Sequence, residues 1–163
     1  MFFLNRTYFF RLAACILACQ AAGIFGSFFT VSSLQSWYSG LVKPAFNPPG
    51  WVFGPVWTAL YTLMGLAAWL VWRKGSLAEP NIRNALFLFL IQLSLNALWS
   101  VLFFGLRSPL LALLDILALA AAILGTIAAF RPISPPAAWL MVPYLAWVVF
   151  AAILNAAIWK LNP

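Results

Sequence analysis

Residues 37–61 read WYSGLVKPAFNPPGWVFGPVWTALY and join two strongly apolar segments of the chain. Prolines and tryptophans are concentrated here around a single lysine, Lys43. Because proline cannot continue a regular helix, the stretch predicts a loop over residues 31–50. A helix resumes near Trp51, where Pro55 falls close to its start and costs little hydrogen bonding. Prolines and indoles at such a junction indicate a shaped surface rather than a simple connection.

The composition is that of an integral membrane protein. Of the 163 residues, 66% are hydrophobic and 7% are charged, and the mean hydropathy is +1.02. Soluble domains carry roughly 25% charged residues, so this chain cannot cover a water-soluble sphere. The net charge of +7 comes from basic residues that sit mostly at the ends of apolar runs. That placement is typical of topology signals and lipid headgroup contacts, so the predicted partner is the bilayer and not nucleic acid.

The apolar runs predict an all-α fold with a single domain, residues 1–163. Each run is long enough for the roughly 20 residues that a helix needs to cross a bilayer. Arg6 and Arg11 leave no apolar core for a cleaved signal peptide, so the first run is predicted to be retained. The prediction is one bundle of five transmembrane helices, at about residues 7–29, 52–72, 83–104, 109–130 and 136–159, with the loop 31–50 capping it.

The basic residues are unequally divided between the two ends of this bundle. On the N-terminal side lie Arg6, Arg11, Arg73, Lys74, Arg83 and Arg131, and on the other side lie Lys43, Arg107 and Lys160. Because basic residues favour the cytoplasmic side, the bias predicts an N-terminus inside and a C-terminus outside, in a bacterial cell membrane.

Counting residues along each helix predicts which side chains share a depth. With a rise of about 1.5 Å per residue, polar and aromatic groups from helices two to five fall in the half of the bilayer beneath the loop. They are Trp57, Tyr61, Asn96, Trp99, Asp115, Trp147, Ala151 and Asn155. The convergence predicts an aromatic pocket with neutral hydrogen-bonding groups, which suits a flat hydrophobic ligand.

Several of these residues admit a purely structural interpretation. Trp57 and Trp147 either line the pocket or pack between helices. Asn96 and Gln92 either serve the pocket or hydrogen-bond between helices. Tryptophans near helix ends are predicted to form the interfacial belt: Trp51, Trp69, Trp72 and Trp159.

Asp115 is the one acid within a predicted span, and intramembrane acids are functional candidates by default. It either forms a structural ion pair with Arg107 or Lys43, or it is a working group. Cys15 and Cys19 lie one helical turn apart and are predicted to be small buried residues. With no histidine in the chain, no metal site is predicted.

Three motifs in and around the loop carry a family resemblance: Trp37-Tyr38, Lys43-Pro44-x-Phe46-x-Pro48-Pro49-x-Trp51-Val52-Phe53, and Gly54-Pro55-Val56-Trp57-Thr58-x-Leu60-Tyr61. They resemble the signature of the TspO/MBR family, the tryptophan-rich sensory proteins related to the translocator protein (peripheral benzodiazepine receptor). Later stretches are similar to further motifs of that family: Asn96-x-x-Trp99, Pro143-Tyr144-Leu145-x-Trp147 and Leu154-Asn155.

The resemblance implies a five-helix protein, commonly a homodimer, that binds porphyrins and, in several members, cholesterol or benzodiazepine-type drugs. It implies a ligand pocket lined by Tyr38, Pro48, Phe53, Trp57, Tyr61, Asn96, Trp99, Trp147 and Ala151. No resident cofactor is required; a tetrapyrrole of the protoporphyrin IX type is the implied ligand. Alanines stand where the family's sterol motif has a tyrosine, so sterol recognition is not carried over. Gly23, Gly26 and the alanine-rich face of helix four are candidate surfaces for a partner subunit.

Three functions are consistent with these residues. The first is a receptor or carrier that binds tetrapyrroles in the loop-capped pocket. The second, implied by the resemblance, is light-dependent porphyrin degradation in which Trp57 and Trp147 are the catalytic residues. The third is a small transporter in which Asp115 is the working group.

Overall fold

The structure is a computed structural model that describes residues 6–163. Its elements are α1 (Arg6–Leu34), α2 (Gly50–Trp72), α3 (Pro80–Ser100), α4 (Pro109–Phe130), α5 (Pro135–Leu140) and α6 (Val142–Leu161), with no strand in the described range. A π-helical turn, Val101–Gly105, extends α3, and α5 and α6 together form one span, Pro135–Leu161. The predicted all-α bundle with five membrane-spanning helices is therefore confirmed.

Helix α1 is longer than predicted and ends at Leu34 instead of Phe29. Hydroxyl side chains near the end of α1 donate hydrogen bonds to carbonyl groups of the same helix. Thr30 Oγ1 donates to Gly26 O at 3.2 Å, and Ser32 Oγ donates to Phe29 O at 2.9 Å. Such bonds allow a polar run to stay helical. The segment that links α1 to α2 is therefore residues 35–49, which we call the lid, and it contains one short 3-10 turn, Tyr38–Gly40.

The last span is broken, contrary to the predicted continuous helix 136–159. Helix α5 ends at Leu140 and α6 begins at Val142. Pro143 has no backbone N–H to continue the hydrogen-bond ladder, so the chain changes direction just before it. Helix α3 begins at Pro80 and not at the predicted Arg83. Proline is favourable there, because the backbone N–H that it lacks would have no partner in the first turn of a helix.

Small residues set how closely α1 approaches its neighbours. A Cβ atom built on Gly65 of α2 would lie 2.7 Å from Ile16 Cα, so the two backbones nearly touch. Gly23 faces the Tyr61 ring, and a Cβ on Gly26 would lie 2.8 Å from Ser100 Oγ of α3. Gly23 and Gly26, the candidate surfaces for a partner subunit, both contact residues of their own chain, and the surface for a partner stays a prediction. Cys15 and Cys19 are buried and unpaired, as predicted.

Arg11 and two tryptophans connect the start of α1 to the end of α2. Arg11 Nη1 donates to Trp72 O at 3.0 Å and lies 5.2 Å from the centre of the Trp72 ring. Trp69 Nε1 donates to Tyr8 O at 3.1 Å. These contacts join α1 to α2 at this end of the bundle. The orientation predicted from the charge bias stays a prediction.

We predict that Gly65→Ala destabilises the bundle, while Gly125→Ala does not. The new methyl at position 65 would collide with the Ile16 backbone, which cannot move as a side chain can, at a cost of roughly 1–3 kcal/mol. A Cβ on Gly125 of α4 meets nothing within 4 Å, and alanine favours a helix over glycine. Thermal unfolding of both variants in one detergent measures the difference. A Gly65→Ala protein as stable as Gly125→Ala would contradict the close contact.

Candidate functional site

A cavity of about 520 Å³ lies beneath the lid, between α1, α2, α3, α4 and α6. The structure places every residue of the predicted ligand pocket along this one cavity: Tyr38, Pro48, Phe53, Trp57, Tyr61, Asn96, Trp99, Trp147 and Ala151. Asn155, predicted at the same depth, also lines it. Side chains far apart in sequence therefore share one surface.

The lid is folded on itself by polar contacts. The Tyr38 hydroxyl donates to Asn47 Oδ1 at 3.1 Å. Lys43 Nζ lies 4.7 Å from the centre of the Tyr38 ring and donates to Leu41 O at 3.1 Å. Burial raises the pKa of the Tyr38 phenol, and this effect outweighs the lowering by Asn47. Tyr38 therefore stays protonated and remains a hydrogen-bond donor at neutral pH.

The lid is also fixed to the helices on which it rests. Val42 N donates to Asn162 Oδ1 at 3.0 Å, and Asn162 Nδ2 donates to Val42 O at 3.0 Å. The Trp37 ring packs edge-on against Phe103 with centroids 5.5 Å apart. The paired bonds to Asn162 tie the lid to the last turn of α6, so the lid has a defined position over the cavity.

Aromatic rings form opposing walls of the cavity. On α2, Trp57 stacks on Tyr61 with centroids 5.4 Å apart, and Phe53 meets Trp147 of α6 edge-on at 6.0 Å. On the α3 side, Trp99 stacks on Phe103 at 5.0 Å. The walls present ring faces and edges to whatever occupies the cavity, which favours a flat aromatic ligand.

The neutral polar groups are divided into paired and unpaired sets. The Tyr61 hydroxyl donates to Asn96 Oδ1 at 2.6 Å, so Asn96 both links two helices and lines the cavity. Trp99 Nε1 donates to Asn155 Oδ1 at 3.0 Å. Within residues 6–163, the indole nitrogens of Trp57 and Trp147 donate no hydrogen bond. These two donors are available to a ligand.

Asp115 does not line the cavity, although its neighbour Ile116 does. Its Oδ2 atom is buried and has no hydrogen-bond partner among the described residues. The ion pair with Lys43 or Arg107 is not formed: Lys43 Nζ is directed to lid carbonyls, and Arg107 lies exposed at the turn before α4. Asp115 therefore neither forms the ion pair nor lines the cavity, and its role as a working group stays a prediction.

Gln92 fits neither of its two predicted alternatives. It does not line the cavity, and among the described residues both of its buried side-chain polar atoms have no hydrogen-bond partner.

Helix α1 contributes a wall of the cavity that was not predicted. Gln20, Gly23, Ser27 and Val31 line the cavity at helical spacing, and Ser100 with the π-turn phenylalanines completes it. A signal was available, because Gln20, Ser27 and Thr30 place polar side chains on one face of an otherwise apolar helix.

Known proteins resemble this chain over most of its length. The profile of the TspO/MBR family matches residues 15–160. The chain belongs to the TspO/MBR family. The "Tryptophan-rich protein TspO" of Archaeoglobus fulgidus is 47% identical over 152 residues, covering 93% of this chain and 97% of that relative. The human "Translocator protein" is 43% identical over 138 residues, covering 84% of this chain and 81% of the relative. The TspO/MBR assignment therefore applies to the whole bundle, lid included.

We predict that Tyr61→Phe destabilises this TspO/MBR protein, while Tyr144→Phe is neutral or stabilising. Removing the Tyr61 hydroxyl leaves Asn96 Oδ1 without its donor in a buried site, at a cost of roughly 1 kcal/mol. The Tyr144 hydroxyl is buried and has no hydrogen-bond partner among the described residues. Its removal therefore costs no hydrogen bond and relieves the desolvation cost of a buried polar group. Thermal unfolding measures both variants. Equal effects would mean that the Tyr61–Asn96 bond does not hold α2 to α3.

Proposed function

We propose that this protein is a membrane receptor or carrier for tetrapyrroles of the protoporphyrin IX type and similar flat hydrophobic ligands. The observation that carries the proposal is the single cavity beneath the lid, lined by all the residues that the family resemblance implied. Its volume of about 520 Å³ falls within the range of ligand sites, roughly 300–1,000 Å³. Synthetic benzodiazepine-type ligands would occupy the same space.

The chemistry of the lining supports a macrocycle as occupant. Ring faces and edges on opposite walls supply stacking, and the free indole N–H groups of Trp57 and Trp147 can donate to a ligand's carboxylates or carbonyls. Among the described residues, no charged side chain lines the cavity, so binding rests on contact area and neutral hydrogen bonds. The chain contains no histidine, so a bound haem would show no histidine-ligated spectrum.

We predict that Trp57→Ala and Trp147→Ala each weaken protoporphyrin IX binding about tenfold, which corresponds to about 1.4 kcal/mol. Each change removes one ring from a wall of the cavity. Trp139→Ala is the matched control, because Trp139 is 73% exposed and lies outside the cavity lining. Titrating protein in lipid nanodiscs with protoporphyrin IX and following tryptophan fluorescence gives the dissociation constants. Unchanged binding in both pocket variants would overturn the proposed site.

A second candidate function, light-dependent degradation of bound porphyrin with dioxygen as the oxidant, is favoured by one observation. Trp57 and Trp147 line the same cavity, and Trp57 stacks on Tyr61, which gives two adjacent oxidisable rings. We predict that illuminated protoporphyrin IX loses absorbance faster with the native protein than with a Trp57→Phe/Trp147→Phe double variant. The comparison is made at saturating protein, so that weaker binding does not mimic slower chemistry. Equal rates would reject a role for these tryptophans in the chemistry.

A further inference from the structure

Helices α1 and α2 are joined over only part of their length. At the end of the bundle where Arg11 contacts Trp72, the two helices are in contact. The contacts continue with Gly65 against Ile16 and extend to Gln20. Gln20 Nε2 donates to Thr62 Oγ1 at 3.1 Å and to Thr58 O at 3.2 Å. One turn further along α1, Gly23 meets the Tyr61 ring. These contacts close the lower part of the α1–α2 seam.

Beyond Gly23 the two helices pack against different neighbouring helices. Helix α1 turns to α3 and its π turn, where Ser33 Oγ donates to Phe104 O at 2.7 Å. Helix α2 turns to α6, where Phe53 contacts Trp147 and Trp57 contacts Tyr144 at 6.3 Å. Within the described residues 6–163, no hydrogen bond or aromatic contact joins residues 24–34 of α1 to residues 50–57 of α2. The helices therefore leave a wedge-shaped gap between them.

The gap connects the cavity to the outside of the bundle. Residues on both of its edges line the cavity and are exposed: Ile24, Ser27 and Val31 on α1, and Gly54 on α2. Ile24 is 59% exposed and Val31 is 68% exposed. Because these residues belong to helices that are long and apolar enough to cross a membrane, we infer that the gap faces lipid. The edges are apolar or small, so they offer little barrier to a hydrophobic molecule.

In contrast to the gap, the lid blocks the route of a ligand from water into the cavity. An approach from water would have to separate Val42 from Asn162, where two hydrogen bonds are made, and Trp37 from Phe103. The side route requires no hydrogen bond to break. Flat hydrophobic ligands also concentrate in the bilayer, on the side where the gap opens.

We propose that the gap between α1 and α2 is a lateral portal through which a hydrophobic ligand dissolved in the bilayer enters and leaves the cavity. Gly23, packed against the Tyr61 ring, marks its deep end. This inference rests on the proposed function, because it concerns the same cavity and the same class of ligand.

The test fills the gap and measures rates. A Cβ built on Gly54 meets nothing within 4 Å, so Gly54→Phe is the substitution that introduces a bulky side chain at this edge of the gap. Gly125→Phe is the matched control, since Gly125 is equally unobstructed but lies outside the cavity lining on α4. Ile24→Trp narrows the gap from the other edge and serves as the second variant. Protoporphyrin IX is delivered from donor liposomes to protein in nanodiscs, and tryptophan quenching is followed in time.

The portal predicts that Gly54→Phe and Ile24→Trp slow association and dissociation by similar factors, about tenfold or more, while Gly125→Phe matches the native protein. Asn162→Ala, which frees Val42 from α6, should leave both rates unchanged. If Asn162→Ala accelerates exchange while both gap variants exchange normally, ligands pass the lid and the portal is wrong, although the pocket stands. If the gap variants change only the dissociation rate, in either direction, and leave the association rate unchanged, the portal is also wrong. No saturable quenching with native protein overturns the proposed function, and the portal with it.

Discussion

The close approach of α1 to two different neighbours is the constraint on which the rest of this structure depends. Near its start α1 touches the α2 backbone at Gly65, and further along it touches α3 at Gly26. In lipid, helices associate through such small-residue contacts, because apolar side chains gain nothing by leaving lipid for protein. A helix held to α2 at one end and to α3 at the other must tilt away from α2. That tilt creates both the cavity and the gap in its wall.

The lid solves a second problem, which is how to place irregular chain over an apolar cavity. Backbone groups near lipid must find partners, and the lid meets this demand in two ways. Its prolines have no N–H groups to satisfy. Its Val42 backbone uses both of its polar groups on the Asn162 side chain. The lid is therefore held by the end of the chain, and the cavity is completed only when α6 is in place.

Residue counting predicted the bundle and much of the cavity, because apolar runs set the spans and helix rise sets the depth. Trp57, Asn96 and Trp147 were placed together on that basis alone. Rotation about each helix axis was not predictable, since lipid-facing and protein-facing surfaces are both apolar here. For this reason the choice between an ion pair and a working role for Asp115 stayed open, and in the structure Asp115 lies outside the cavity lining with a buried, unpartnered Oδ2 among the described residues. The contribution of α1 was missed although the polar face of that helix was a signal for it. The break before Pro143 was predictable from proline's missing donor.

The division of polar groups in the cavity explains how a ligand could bind without loosening the bundle. The bonds that connect helices, Tyr61 to Asn96 and Trp99 to Asn155, are already made in the free protein. The remaining donors are the indole N–H groups of Trp57 and Trp147, which donate no hydrogen bond within the described chain. A ligand can use these donors and the ring faces while every interhelical bond stays intact. The walls are thus preorganised, and little of the binding free energy is spent on reordering them.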